Sequence, residues 1–563
     1  MPPSCARIVS ALCLAAAVAA QSPMRERIEL FGADLADLGR RYDVPMSDEG
    51  DRRLGERLAQ EQRELLAVDF EALDRDARVD WLLLDNHVRA ELSHRADRRA
   101  RDAEVTAQLP FARTIVALGE ARRRLEAVEP QQAASDVAAV GEGVAAVQRA
   151  LRDGSFAKVA PPALLRLADR TADLRRVLRR WFEFRDGYDP LFSWWLKAPF
   201  HTADERLGAL EQALRTELGG RAGDASLVGD PIGEQALLRE LGFEWIPYSP
   251  AELVAIAETE FAWCDREYAA AAQAMGCGDD WRLALTKVKQ DHRAPGEQPQ
   301  LIRELAQEAI DFLEARDLVT VPALAKECWR MSMMSPAAQR VNPFFLGGET
   351  IQVSFPTDTM SFDEKRQSLY SNNEHFCRAT VFHELIPGHW LQQFAQARHH
   401  TWREPFSTPF WIEGWALYWE MRLYDLGLPK TPEDRVGMLY WRKHRCARIV
   451  FSLNFHLGRW SGPQCVDYLI ERVGHERSAA EAEVRRSVSG GYGPLYQAAY
   501  MLGGLQIRAL HDELVQPGSR WTERAFHDEV LRQGSMPIAV LRAALGEAPV
   551  GRQLEPWRFA GRR

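Results

Sequence analysis

Between residues 24 and 245 the apolar residues return every three or four positions, segment after segment, and this spacing predicts a chain built mainly from packed helices. Leu65, Phe70, Leu73, Trp81, Leu82 and Leu84 follow such a pattern, and Val137, Val140, Val144, Val147 and Leu151 form a cleaner stripe. Thr202 followed by Glu205 reads as a capping box opening a helix that Gly219-Gly220 closes. Ser249-Pro250 opens the next. These stripes read as core packing rather than as cofactor sites. At 563 residues the chain is several times a typical domain. The reading is an amino-terminal helical lobe over 21–245 and a second lobe over 246–563, or one continuous domain across 24–563.

One region departs from helical spacing. Pro343 to Pro356 holds Gly347-Gly348 and then the alternating run Thr350-Ile351-Gln352-Val353-Ser354-Phe355, which predicts a strand in a small sheet. Its edge would either pair with an extended peptide or serve only as a packed β-hairpin. From about Glu374 onward the helical pattern returns.

The first twenty residues read as a secretory leader: Arg7, then the apolar run Ile8 to Ala20, ending in the small-residue site Val18-Ala19-Ala20. Translation starting at Met24 would instead leave the protein in the cytoplasm. The leader is too short to span a bilayer, and no later run is long and apolar enough, so stable membrane insertion is not expected. The formal charge of −9 is spread along the chain. The arginine clusters at Arg122–Arg124 and Arg175–Arg180 sit in helical patterns and read as solvated faces, which argues against nucleic-acid binding. Six of the eight cysteines lie beyond the leader and none forms a C-x-x-C pair, so a thiolate zinc site is not expected. A core this large needs no structural metal, so any metal would serve chemistry.

The stretch Val381-Phe382-His383-Glu384-Leu385-Ile386-Pro387-Gly388-His389 approaches the H-E-x-x-H pattern, in which two histidines one helical turn apart grip a zinc ion. Here they stand six apart, about 240° around an ideal helix. Pro387 lacks an N–H, and its ring would clash with the carbonyl of His383, while Gly388 accepts unusual dihedrals. A helix break at Pro-Gly is therefore predicted, returning His389 to the side of His383. The third ligand should be a downstream carboxylate. Glu413 supplies it in Trp411-Ile412-Glu413-Gly414-Trp415-Ala416-Leu417-Tyr418-Trp419-Glu420. Glu420, two turns on and on the same face, is placed to hold a ligating histidine by its other nitrogen.

H-E-x-x-P-G-H followed by E-G-W-A-L-Y-x-E resembles the bacterial family of unknown function numbered 885 (DUF885). That family is similar to the gluzincin metallopeptidases, and the spacing of 24 from His389 to Glu413 resembles their angiotensin-converting-enzyme branch. The specific motifs lie between about 380 and 504. The resemblance implies a mostly helical, two-lobed, zincin-like metallopeptidase with a small sheet near a deep cleft and one Zn²⁺ per chain. The Pro-Gly insertion is the departure from true gluzincins.

The resemblance also implies a tyrosine over the reacting carbonyl: Tyr500 first, with Tyr492 or Tyr496 as substitutes. The register there departs from the family's pattern, which carries P-G-Q where this chain has Pro494-Leu495-Tyr496. Arg448 and His456, eight apart, read as candidates for substrate carboxylate and for substrate or oxyanion. His456 reads equally as a core or supporting residue. His375, His399 and His400 lack ligand spacing. The expected chemistry is hydrolysis of a peptide bond by metal-activated water, with Glu384 as general base and an exported location. The alternatives are a metal amidohydrolase acting on a small non-peptide amide, and a non-catalytic binding protein that keeps the fold.

Overall fold

A computed structural model describes residues 23–339, 344–489 and 491–560. The expected leader at 1–20, with Cys5 and Cys13, lies outside them, as do Pro343 and Gly490. The described chain is mainly helical, as the periodicity predicts, and β1 (Arg330–Met333) and β2 (Thr350–Val353) are its two strands. None of its helices is long and apolar enough to cross a membrane. All six described cysteines are free thiols.

Local chemistry explains where the helices begin. The Ser249 hydroxyl accepts from the Glu252 N–H, and the Glu252 carboxylate accepts from the Ser249 N–H at 2.8 Å, which fixes the start of Pro250–Ala274. The box expected at Thr202 does not form. Asp189 caps an earlier start through the N–H groups of Leu191 and Phe192, and one helix runs Pro190–Ala222 with Pro199 inside it. Thr202 and Glu205 are mid-helix. Gly219 and Gly220 lie in the last turn, and the stop is Gly223, at φ 77°. The stripe from Leu65 to Leu84 is also divided. A helix ends at Leu66, a 3₁₀ turn spans Phe70–Ala72, and Asp74 caps the helix Arg75–Thr106. Its apolar side chains still reach the core, with Leu73 partly buried. The arginine clusters are largely ion-paired. Arg175 and Arg179 share Asp204, and Arg123 is buried against Glu120 and Glu49 rather than solvated.

The strand expected at 350–355 covers Thr350–Val353, with Ile351 and Val353 buried and Gln352 exposed. It pairs in parallel with β1, Met331 opposite Ile351, a partner that periodicity did not reveal. Leu346 bridges to Gln352 on the way in. β2 is thus paired in parallel with β1 and bridged antiparallel by Leu346 at Gln352.

Two buried apolar clusters organise the molecule. The smaller takes Val44 and side chains from Val105 to Leu218. The larger takes residues from Met24 to Val88 and most of the buried apolar side chains from Leu227 to Phe559.

Candidate metal centre

The site is assembled by helices that the sequence pattern announces and a break that it requires. Asn373 caps the motif helix, Glu374–Glu384, by accepting from the Phe376 N–H at 3.0 Å. The helix stops where Pro387 forbids continuation, and Leu385 leaves it at φ −108°, ψ −103°. A new helix, His389–Gln396, starts directly after Gly388. The Gly388 N–H donates to the Phe382 carbonyl at 3.0 Å. A Cβ at Gly388 would lie 1.9 Å from the His383 carbonyl oxygen, so glycine alone fits this fold-back. The two imidazoles are thereby brought to 4.8 Å between ring centres.

Glu413 and Glu420 come from a third helix, Pro409–Asp425. Glu413 Oε2 lies 3.2 Å from His389 Nε2 and 3.5 Å from His383 Nε2. One ligand atom from each of His383, His389 and Glu413 falls within 4.8 Å of the others. His383 Nδ1 bonds Glu420 Oε1 at 2.6 Å, as the seven-residue spacing predicts, which frees Nε2 to face Glu413. His389 Nδ1 meets Gln392 Oε1 at 3.2 Å, and Gln392 is anchored to the Trp411 carbonyl.

The trio fits a divalent cation on two observations. Glu413 Oε2 is buried and takes no well-directed hydrogen bond, although both Nε2 atoms surround it. The donor set of two imidazoles and a carboxylate is one of those that hold zinc at catalytic sites. The electrostatics agree. Burial favours the neutral carboxyl of Glu413, yet the charges of His389 and His383 hold it well below the usual carboxylate range. Burial disfavours charge on His389, yet Glu413 raises it to about 9. The pocket thus favours positive charge beside Glu413. Glu384 is the residue after His383. Burial first, and the Glu413 charge further on, lift its carboxyl above the ordinary value, against the pull of His383 and His389.

The tyrosines stand on the helix Tyr496–Leu514. The Tyr496 hydroxyl donates to Glu413 Oε1 and lies 3.2 Å from the Tyr500 hydroxyl. The Tyr500 ring lies parallel to His383, centres 6.1 Å apart. Burial and the neighbouring Glu413 push the Tyr500 phenol up to about 12, so it stays a neutral donor. Tyr492 is half-exposed and packs on Tyr496 at 4.2 Å.

The helix Pro432–His456 runs behind the centre. Arg448 joins the site, its guanidinium 4.3 Å from the centre of the Tyr500 ring. His456 is placed differently. It ends that helix, eight residues or about 12 Å beyond Arg448. Its carbonyl accepts from Gly233, its ring packs on Phe455, and burial lowers it to about 4. Those contacts fit the supporting role read beside the catalytic one. His375 is held between Asp434 and Asp291, His400 bonds the Arg532 carbonyl, and His399 is exposed.

Sequence reading missed Gln392, Arg445, Glu483 and Arg486. Arg445 reaches Glu420 Oε1 at 3.4 Å and lies 4.6 Å from the Tyr500 ring centre. Its signal was available, since it stands three positions before Arg448 on one helix face. A second trio, His511, Glu523 and His527, also has ligand atoms within 4.8 Å. There, however, Arg422 pairs with Glu523, and His527 is bonded to Tyr418 and to the Leu318 carbonyl.

The sequence matches, over residues 32–545, the family model described as bacterial protein of unknown function (DUF885). No curated protein matches it. Among solved structures, a candidate lipoprotein of unknown function from Shewanella oneidensis is similar over 92% of this chain and 98% of that one. Its TM-score is 0.68 at 16% identity. A candidate lipoprotein from Colwellia psychrerythraea is similar over 92% and 97%, at TM-score 0.56 and 15% identity. At such identities the likeness is one of fold.

Proposed function

This chain belongs to the bacterial family DUF885, and we propose that it is a zinc-dependent hydrolase that cleaves peptide bonds in short peptides. The observation that carries the reading is the convergence of His383 Nε2, His389 Nε2 and Glu413 Oε2 on one buried point, with Glu384 next in the chain and Glu420 behind His383. We read the fold as a zincin-like one whose substrate cleft opens at this point. The description of two structural relatives as candidate lipoproteins is compatible with an exported protein.

His383, His389 and Glu413 would hold the metal. A bound zinc ion would polarise the substrate carbonyl and make water nucleophilic near neutral pH. Glu384 takes the proton of the attacking water, a task suited to a carboxylate lifted above its ordinary value, and then passes it to the leaving amine. Tyr500, neutral and held by its ring contacts, donates to the carbonyl oxygen as it becomes negative. Tyr496 keeps Glu413 in place through Oε1 and leaves Oε2 facing the imidazoles. Glu420 fixes the His383 tautomer, and Arg445 balances the Glu420 charge.

The test is elemental analysis beside a peptide-cleavage assay. Wild type and Glu384→Gln should each carry about one zinc per chain. Glu384→Gln should lose on the order of 10²–10⁴ in kcat. His383→Ala should lose the metal. A wild type that takes up no zinc when it is supplied, or an active Glu384→Gln variant, would overturn the reading.

A further inference from the structure

Beyond Tyr500 the site carries more guanidinium than carboxylate. Arg445 is matched by Glu420 at 3.4 Å, and Arg448 Nε lies 2.7 Å from Glu483 Oε1. Arg486 stands on the same helix as Glu483, Arg477–Val488, and its guanidinium makes no ion pair or hydrogen bond among the described residues. Its guanidinium lies 4.9 Å from the centre of the half-exposed Tyr492 ring. Its electrostatic neighbours are Tyr500, Glu483, Tyr496 and Tyr492. Arg486 Nε and Arg448 Nη1 are both buried donors without a partner among the described residues. A buried donor is costly if nothing accepts from it. A charged fork left without a partner is suited to a bidentate carboxylate.

We propose that Arg448 and Arg486 form an anion subsite that seats a free carboxylate of the substrate beside Tyr500. This rests on the reading of the same cleft as a hydrolase site. Position then sets the cleavage pattern. The Arg448 guanidinium is 4.3 Å from the Tyr500 ring centre, which is 6.1 Å from the His383 ring, so it lies within about 10 Å of the metal ligands. An extended chain spans about 3.5 Å per residue, so the bond cut would lie within a few residues of the carboxylate. The carboxylate has two sources: a peptide's own carboxy terminus or an acidic side chain.

Calorimetric titration separates these sources and does not depend on turnover. The zinc-loaded Glu384→Gln protein is titrated with N-acetyl-dialanine as free acid and as amide, and with N-acetylglutamate amide against N-acetylglutamine amide. The expected result is at least about tenfold tighter binding of one charged member than of its neutral twin, with the difference abolished in the double variant with Arg486→Gln. The first pair identifies a carboxy terminus and the second an acidic side chain. Arg486→Lys, which keeps charge but not the fork, should retain only part of the preference. Equal affinity within both pairs, or a preference that survives Arg486→Gln in protein of unchanged melting temperature, would overturn the subsite. Preference for the charged ligand in a wild type that cleaves no peptide would leave the subsite standing and remove the hydrolase reading.

Discussion

At the scale of single residues, the centre depends on which nitrogen each imidazole presents. His383 Nδ1 is committed to Glu420, whose other oxygen is buried without a partner, so Nε2 is the atom left for a metal. Glu420→Gln replaces a charged acceptor by a neutral one and can turn its amide toward Nδ1. It should weaken zinc binding by about 10- to 100-fold, read by chelator competition. Activity should return at high zinc. Unchanged affinity would mean that the ring is held by packing alone. Glu420 was legible because seven residues return to the same helix face. Gln392 was not. A glutamine three positions after His389 has no spacing that separates it from a surface residue, and only the fold shows its amide between His389 and the Trp411 carbonyl.

At the scale of elements, the site is held by two helices packed backbone to backbone. A Cβ on Gly414 would come within 2.6 Å of Gly503, and one on Gly503 would come within 2.1 Å of the Phe410 carbonyl. This close crossing lets Tyr496 on one helix reach Glu413 on the other. Gly503→Ala should push the helices apart, lower stability by about 1–3 kcal/mol, and weaken zinc retention with it. Parallel thermal melts and metal analysis check this. A loss of stability with zinc binding untouched would show that the Tyr496 contact is dispensable for the metal. The sequence marked Gly414 only as part of a motif, because a packing glycine is recognisable from its partner helix and not from its neighbours in the chain. The break at Pro387-Gly388 was legible for the opposite reason, since its cause lies entirely in local backbone chemistry. The capping box at Thr202 failed for a related cause. Asp189-Pro190 offered an earlier start, and helix propagation across Pro199 carried the chain past the second signal.

At the scale of the molecule, helical character was legible from periodicity, but the grouping of helices was not. The segment from Met24 to Val88, read with the amino-terminal lobe, buries its apolar side chains in the larger cluster that also surrounds the metal motif. Burial alone is non-directional and does not say which helices meet. Directional contacts do. Asp80, on the helix Arg75–Thr106, meets Arg403 at 2.6 Å, with both side chains almost fully buried. Trp402 donates to the same carboxylate at 2.9 Å, and Arg403 also reaches Gln533. This joint lies just ahead of the helix that carries Glu413, so it ties the early helices to the site. Asp80→Ala leaves Arg403 charged in the interior without its partner and should cost about 3–5 kcal/mol. Asp80→Ala with Arg403→Met removes the stranded charge and should recover most of that loss. Urea unfolding of the wild type, the single variant and the double variant measures both steps. A double variant as unstable as the single one would show that the joint is held by the shape of the contact rather than by the balance of its charges.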